Sequence, residues 1–266
     1  MPETRILEGQ RAIVTGASRG IGAEVARAMA RAGAAVVLAA RDEEALANVA
    51  AEIEREGGQA VVAPTEVSDP EAVERLVATT VHALGGLDIA VNNAAGGGHG
   101  PTPLIEVGPD QFRSALAISL ESVFLSLKFE IPAMLESGGG AIVNMASTAG
   151  LEAVGGLAGY VAAKHGVIGL TKVAALDYAA HGVRVNAIAP GPILTERLEA
   201  AGEDAQRKAG LAMPMRRIGQ PSEVAAAAVW LCSDQTSFIT GATLIIDGGK
   251  LAGTPPFSTP RNAAGS

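Results

Sequence analysis

The feature that most limits the fold is a glycine-rich turn close to the amino terminus. The apolar run 11–15 passes into Thr15-Gly16-Ala17-Ser18-Arg19-Gly20-Ile21-Gly22, and a helical stripe of Ile21, Val25, Met29 and Ala32 follows. Glycine is needed where backbone must turn tightly or approach a phosphate and a side chain would collide. A helix amino terminus offers free N–H groups and a partial positive charge to an anion. Strand, glycine turn and helix in that order form an arrangement that holds a dinucleotide.

The rest of the chain repeats the strand–helix alternation. Continuous apolar runs at 34–40, 60–63, 87–91, 141–146, 184–189 and 242–246 read as strands covered on both faces. Stripes at Leu46, Val49 and Ile53, and at Val73, Leu76, Val77, Val81 and Leu84, read as helices between them. Two longer helices are expected over 110–135 and 157–180. The pattern predicts an α/β, single-domain, Rossmann-type doubly wound fold, with about seven parallel strands flanked by helices. One domain is expected to residue 250, including a substrate lid over 192–217. Residues 251–266, with Pro255, Pro256 and Pro260, read as a flexible tail.

Composition narrows the function. Lys plus Arg is 20 and Asp plus Glu 28, a net charge of −8 without basic runs, so nucleic acid and anionic membrane are poor partners. The longest apolar run, 224–232, is too short to span a bilayer. A lone cysteine, Cys232, excludes an internal disulfide and multi-cysteine metal sites. It fits a reducing compartment, and with no apolar signal core at residues 1–5 a cytoplasmic location is expected. His82, His99, His165 and His181 lack metal-ligand spacing, so no metal is expected; a place for His99 in the substrate pocket is weighed against a solvated loop.

The turn is spaced G-x-x-x-G-x-G. Downstream come Asn92-Asn93-Ala94-Ala95-Gly96, Ser147, Tyr160-x-x-x-Lys164, Pro190-Gly191 and Asp247-Gly248-Gly249. Together these resemble the short-chain dehydrogenase/reductase family, similar to its 3-oxoacyl reductase-like members, over roughly residues 5 to 250. The resemblance implies an oxidoreductase that moves a hydride between a nicotinamide cofactor and a carbonyl or secondary alcohol. Ser147 would orient the substrate oxygen, Tyr160 would exchange the proton, and Lys164 would act on Tyr160 and the cofactor ribose. Four residues apart on a helix, Tyr160 and Lys164 share a face. A lysine charge about 4 Å from a tyrosine hydroxyl contributes ~4 kcal/mol toward ionising it at an effective dielectric of ~20. Ser119 takes the place of the family's usual asparagine, and an altered proton path is expected there.

The same resemblance assigns cofactor contacts to Gly16, Ser18, Arg19, Gly20, Ile21 and Gly22 of the turn. It extends them to Val67 and Glu66 beside adenine, to Asn93, Ala94 and Ala95, to Tyr160 and Lys164, and to Pro190, Gly191, Ile193 and Thr195. Ala95 replaces a usual glycine and is expected to narrow its turn. Asn92 is expected to bridge strands. An NAD site wants a carboxylate at the end of the second strand, and Ala40 stands there. Arg41 follows and Arg19 sits in the turn, so two guanidiniums could grip a 2′-phosphate. NADP is expected and NAD less so, with Asp42 as a helix cap instead of a ribose ligand.

A non-catalytic NADP-binding sensor and a sugar-nucleotide epimerase or dehydratase are the competing readings. The intact Ser147, Tyr160 and Lys164 oppose the first; the short stretch after Gly249 opposes the second. The substrate class stays open among sugars, steroids, cyclic ketones and 3-oxoacyl thioesters. Small residues along 157–180 permit close helix approach, and the resemblance implies a homotetramer.

Overall fold

The computed structural model describes residues 5–96 and 98–253. Seven parallel strands form one sheet in the order β3-β2-β1-β4-β5-β6-β7. They are β1 (Arg11–Thr15), β2 (Ala35–Ala40), β3 (Gln59–Pro64), β4 (Ile89–Asn92), β5 (Gly140–Met145), β6 (Val183–Pro190) and β7 (Thr243–Ile246). The order reverses direction between β1 and β4, which places a ligand crevice at the carboxyl ends of these strands.

Alternate residues of each strand face opposite layers. Val14, Leu38, Val91 and Val143 join one buried cluster, which is closed by α1 (Gly20–Arg31), α2 (Glu43–Arg55) and α9 (Pro221–Cys232). Ile13, Val37, Ala90 and Ile142 join the other, under α3 (Pro70–Leu84), α5 (Ser122–Glu136) and α6 (Ala158–Tyr178). Both faces are thus dry, which explains the continuous apolar runs. Pro70 begins α3 behind the Asp69 cap, whose carboxylate accepts from the Glu71 N–H.

The single helix expected over 110–135 is a correction. It is interrupted: α4 (Pro109–Leu116) passes through a π turn, Ala117–Glu121, into α5. The π turn carries Ser119 inward to full burial, and its hydroxyl bonds the backbone of Gly96. The helix expected over 157–180 is α6, closed by a 3₁₀ turn at Ala179–His181 and by Gly182. The segment 192–217, expected as a lid, contains α7 (Glu196–Ala200) and α8 (Glu203–Leu211). Of the expected tail, Lys250–Ala252 forms a 3₁₀ turn held by Asp247, whose carboxylate accepts from the Gly249 and Leu251 N–H groups. Residues 254–266 lie outside the described residues.

Candidate active site

The glycine turn is braced from β4. Asn93 Nδ2 donates to the carbonyls of Thr15 and Gly16 at 3.1 and 3.3 Å, while the Thr15 hydroxyl accepts from the Asn93 and Ala94 N–H groups. Gly16 sits at φ +65°, and a Cβ on Gly22 would stand 2.1 Å from the Gly16 carbonyl oxygen. The cradle therefore exists only while these positions lack side chains. Ser18 and Ile21 are half-buried, and exposed Arg19 precedes α1 in extended backbone. The Gly20 N–H, at the amino end of α1, donates to the carboxylate of Glu196, the first residue of α7, at 3.0 Å. This cradle fits a dinucleotide pyrophosphate.

At the far end of the cleft β2 closes on Ala40 without a carboxylate. Asp42 is committed to the cap of α2, accepting from the Ala45 N–H at 3.0 Å. Arg41 is exposed and lies 3.5 Å from a Glu66 oxygen. The other Glu66 oxygen accepts from the Ser68 N–H and hydroxyl, so Glu66 is engaged by its neighbours, while Val67 is buried behind it. Ala95 is exposed and, unlike Arg216, does not have positive φ. The backbone therefore accepts alanine there without strain.

Ser147 follows β5 and opens a 3₁₀ turn, Thr148–Gly150, its hydroxyl accepting from the Ala149 N–H at 3.2 Å. Tyr160 and Lys164 lie one turn apart on α6. Lys164 is buried, and its Nζ donates to the Met145 carbonyl at 2.7 Å, two residues before Ser147. The same Nζ stands 5.8 Å from the centroid of the Tyr160 ring. Burial lowers the Lys164 pKa to about 8. Pro190 ends β6. Gly191 packs against Asp247, where a Cβ would come within 3.0 Å of its backbone. Ile193 is buried and bridges Gly219, and Thr195 precedes α7. The turn, Ser147, Tyr160, Lys164 and the 190–195 segment thus meet along the carboxyl edge of one sheet. Ser119 bonds Gly96 on the same side.

Three carboxylates at or under this edge belong to none of the sequence motifs. Glu196 is tied to the turn. Glu152, between Ser147 and Tyr160, is paired with Lys250. Glu130 is buried in α5 against Asn92. The signal for Glu130 was available as a lone carboxylate inside the apolar stretch 123–134. Asn92 does bridge strands as expected, its amide donating to Asn144 across β4 and β5. His99 is half-buried, with Nδ1 beside the Gly100 carbonyl and Nε2 without a partner among the described residues. No group of His, Cys, Asp or Glu suited to a metal occurs among the described residues. No helix among them is long and apolar enough to cross a membrane.

A doubly wound sheet with a glycine cradle and a Tyr–Lys pair at its carboxyl edge defines a dehydrogenase/reductase of the nicotinamide type. The chain matches the family model described as enoyl-(acyl carrier protein) reductase over residues 16–250. It is 44% identical over 248 residues to an A-factor type gamma-butyrolactone 1′-reductase (1S-forming) of Streptomyces virginiae, covering 92% of this chain and 96% of that one. It is also 44% identical over 253 residues to a 2,5-dichloro-2,5-cyclohexadiene-1,4-diol dehydrogenase of Sphingobium indicum, covering 92% and 98%. Among solved structures, a 7α-hydroxysteroid dehydrogenase complexed with NADH and 7-oxo glycochenodeoxycholic acid superposes with a TM-score of 0.87 at 35% identity, covering 92% and 96%. The chain belongs to the short-chain dehydrogenase/reductase family, and it is an oxidoreductase of the alcohol–carbonyl type.

Proposed function

We propose that this enzyme interconverts a secondary alcohol and a carbonyl on a ring-bearing substrate, with NADP(H) as cofactor and Tyr160 as the general acid and base. The observation that carries this reading is the pinning of Lys164 beneath Tyr160 by the Met145 carbonyl. When bound, the nicotinamide supplies or accepts the hydride. Tyr160 gives its hydroxyl proton to the developing alkoxide in reduction and takes it back in oxidation. Ser147 holds the same oxygen by a hydrogen bond. Lys164 orients the phenol and favours its ionised form. Ser119, tied to Gly96, holds the wall of the proton path instead of carrying the proton by itself.

The cofactor preference rests on Ala40, on the commitment of Asp42 to its cap, and on exposed Arg41 and Arg19. A 2′-phosphate would draw Arg41 from its loose contact with Glu66. Gly16, Ser18, Gly20, Ile21 and Gly22 would cradle the pyrophosphate, with Thr195 from the lid. Val67 and Glu66 would flank adenine, and Asn93, Ala94, Ala95, Pro190, Gly191 and Ile193 would line the remainder.

The substrate reading rests on two observations. Leu104, Ile105, Leu151, Leu211 and Met215 are exposed on segments that follow the carboxyl ends of β4, β5 and β6. Each reported relative and the solved structure is named for a ring-bearing compound. Assembly as a homotetramer and a cytoplasmic location complete the proposal. Incubation with NADPH and a panel of cyclic ketones, followed at the nicotinamide absorbance, tests it. Turnover is expected on at least one alicyclic ketone, and 3-oxoacyl thioesters as the only substrates would contradict the ring reading.

A further inference from the structure

Glu130 is unusual among the carboxylates. It is 1% exposed, on the inner face of α5. Its Oε2 accepts from Asn92 Nδ2 at 3.0 Å, and the same amide donates to Asn144 Oδ1 at 3.0 Å. Asn144 Nδ2 donates to the Thr171 hydroxyl, which in turn donates to the Val167 carbonyl in α6. Asn92 and Asn144 are register partners on adjacent parallel strands, so both amides enter the same layer. A chain of four side chains thus runs from α5 through β4 and β5 to α6. Asn92 Oδ1 is buried within it and has no donor among the described residues.

The neighbours of this chain are the parts of the site. Asn93 braces the glycine turn, Met145 offers the carbonyl that holds Lys164, and Thr171 lies two turns beyond Lys164 on α6. We propose that Glu130 is a positioning residue: acting through Asn92 and Asn144 as a neutral acid, it fixes the strand ends that carry Asn93 and Met145, and ionisation of Glu130 loosens them. The link to dinucleotide binding rests on the function proposed above.

An ionised carboxylate in this place would be a buried charge without a cation beside it. The charged groups of α3, namely Glu71, Glu74, Arg75 and His82, are all exposed; so are Glu121 of the π turn, Lys128 and Glu136 of α5, and His165, Lys172 and Asp177 of α6. β4 and β5 contribute none. Arg184 of β6 is spent on the carbonyls of Leu231, Ser233 and Ile239. Lys164 is the one buried cation on the packed elements, and its Nζ is held by Met145. Burial raises the Glu130 carboxyl to about 7, against the opposing hydrogen bond from Asn92. A carboxyl raised in the folded state stabilises fully below its ordinary 4.5 and loses that contribution as pH rises through about 7.

Two variants test this on the full chain. Glu130→Gln keeps an acceptor for Asn92 and carries no charge; Glu130→Leu removes the acceptor. The melting temperature of Glu130→Gln minus that of the wild type is expected to rise by about 5 °C between pH 5 and pH 8. A flat difference overturns the neutral acid. At pH 8, amide hydrogen exchange at residues 93–96 and 145–147 is expected to be several-fold faster in the wild type than in Glu130→Gln, and faster in Glu130→Leu at every pH. If Glu130→Leu does not fold, Thr171→Val, which cuts the other end of the chain, is expected to speed exchange at 145–147 several-fold. Unchanged exchange at both segments alongside a lowered melting temperature would make Glu130 a packing residue only and overturn the proposal. NADPH affinity, followed by fluorescence, is expected to weaken several-fold above pH 7 in the wild type and to stay within two-fold in Glu130→Gln. A wild type that binds no NADPH contradicts the cofactor reading, while the melting and exchange results still decide the role of Glu130.

Discussion

Lys164 reaches across from α6 to β5 and donates to the carbonyl oxygen of Met145 at 2.7 Å. That bond fixes the ammonium beside Tyr160 and at the root of the Ser147 turn. Burial lowers the Lys164 pKa from 10.5 to about 8. A lysine depressed in this way contributes its full share above pH 10.5 and costs stability as pH falls through 8. Lys164→Met should therefore lower turnover at least 100-fold while holding or raising the melting temperature at pH 7. Thermal melts beside initial rates check this. A large fall in stability at pH 7 would show that the charge holds the fold together instead of serving the chemistry.

Among the described residues Arg41 has one loose ionic neighbour, Glu66 at 3.5 Å, which leaves it able to meet a phosphate. Arg41→Asp should cut kcat/KM with NADPH by ~10- to 100-fold, the worth of a charge-assisted phosphate contact, and leave NADH nearly unchanged. Steady-state rates with both cofactors measure the ratio. A ratio that does not move removes Arg41 from the site.

Gly22→Ala would drive a methyl group to 2.1 Å from the Gly16 carbonyl oxygen and 2.5 Å from Asn93 Nδ2. Both are parts of the cradle, so the turn has to open. The expected result is a loss of ~2 kcal/mol in stability with dinucleotide binding abolished in a fluorescence titration. Gly169→Ala, where no atom lies within 4 Å and φ is not positive, serves as the control for a glycine outside the cradle.

The Glu196 carboxylate takes the Gly20 N–H at the amino end of α1, where a pyrophosphate carries the same sign of charge. Glu196→Gln should tighten NADPH binding a few-fold, mainly through a faster on-rate at low salt. Stopped-flow binding at two ionic strengths separates this from a lid effect, which would change the off-rate.

The strands were legible because inner strands of a parallel sheet are buried on both faces and so read as mostly apolar runs, interrupted by polar residues such as Asn144 and Asn186 that find partners inside the fold. The cap of α2 was legible as well, since Asp42 sits where a short acceptor pairs with a free N–H group. The break between α4 and α5 was not, because a π turn leaves the apolar spacing of its flanks intact. Ser119 is drawn inward by Gly96, 23 residues earlier. The Glu130 chain was hidden for a similar reason: Asn92 finds partners 38 and 52 residues away. Motif spacing marked Ser147, Tyr160 and Lys164, but the carbonyl that pins Lys164 belongs to backbone, which no side-chain pattern announces.

Tyr160→Phe tests the central claim most directly. It keeps the ring that stands 5.8 Å from Lys164 Nζ and removes the hydroxyl that carries the exchangeable proton. Rates should be measured in both directions on a cyclic ketone and its alcohol, with NADPH affinity measured beside them. The account predicts a loss of at least 100-fold in both directions with the dissociation constant for NADPH unchanged within about two-fold. Near-normal turnover by Tyr160→Phe would contradict it and move the proton to another group.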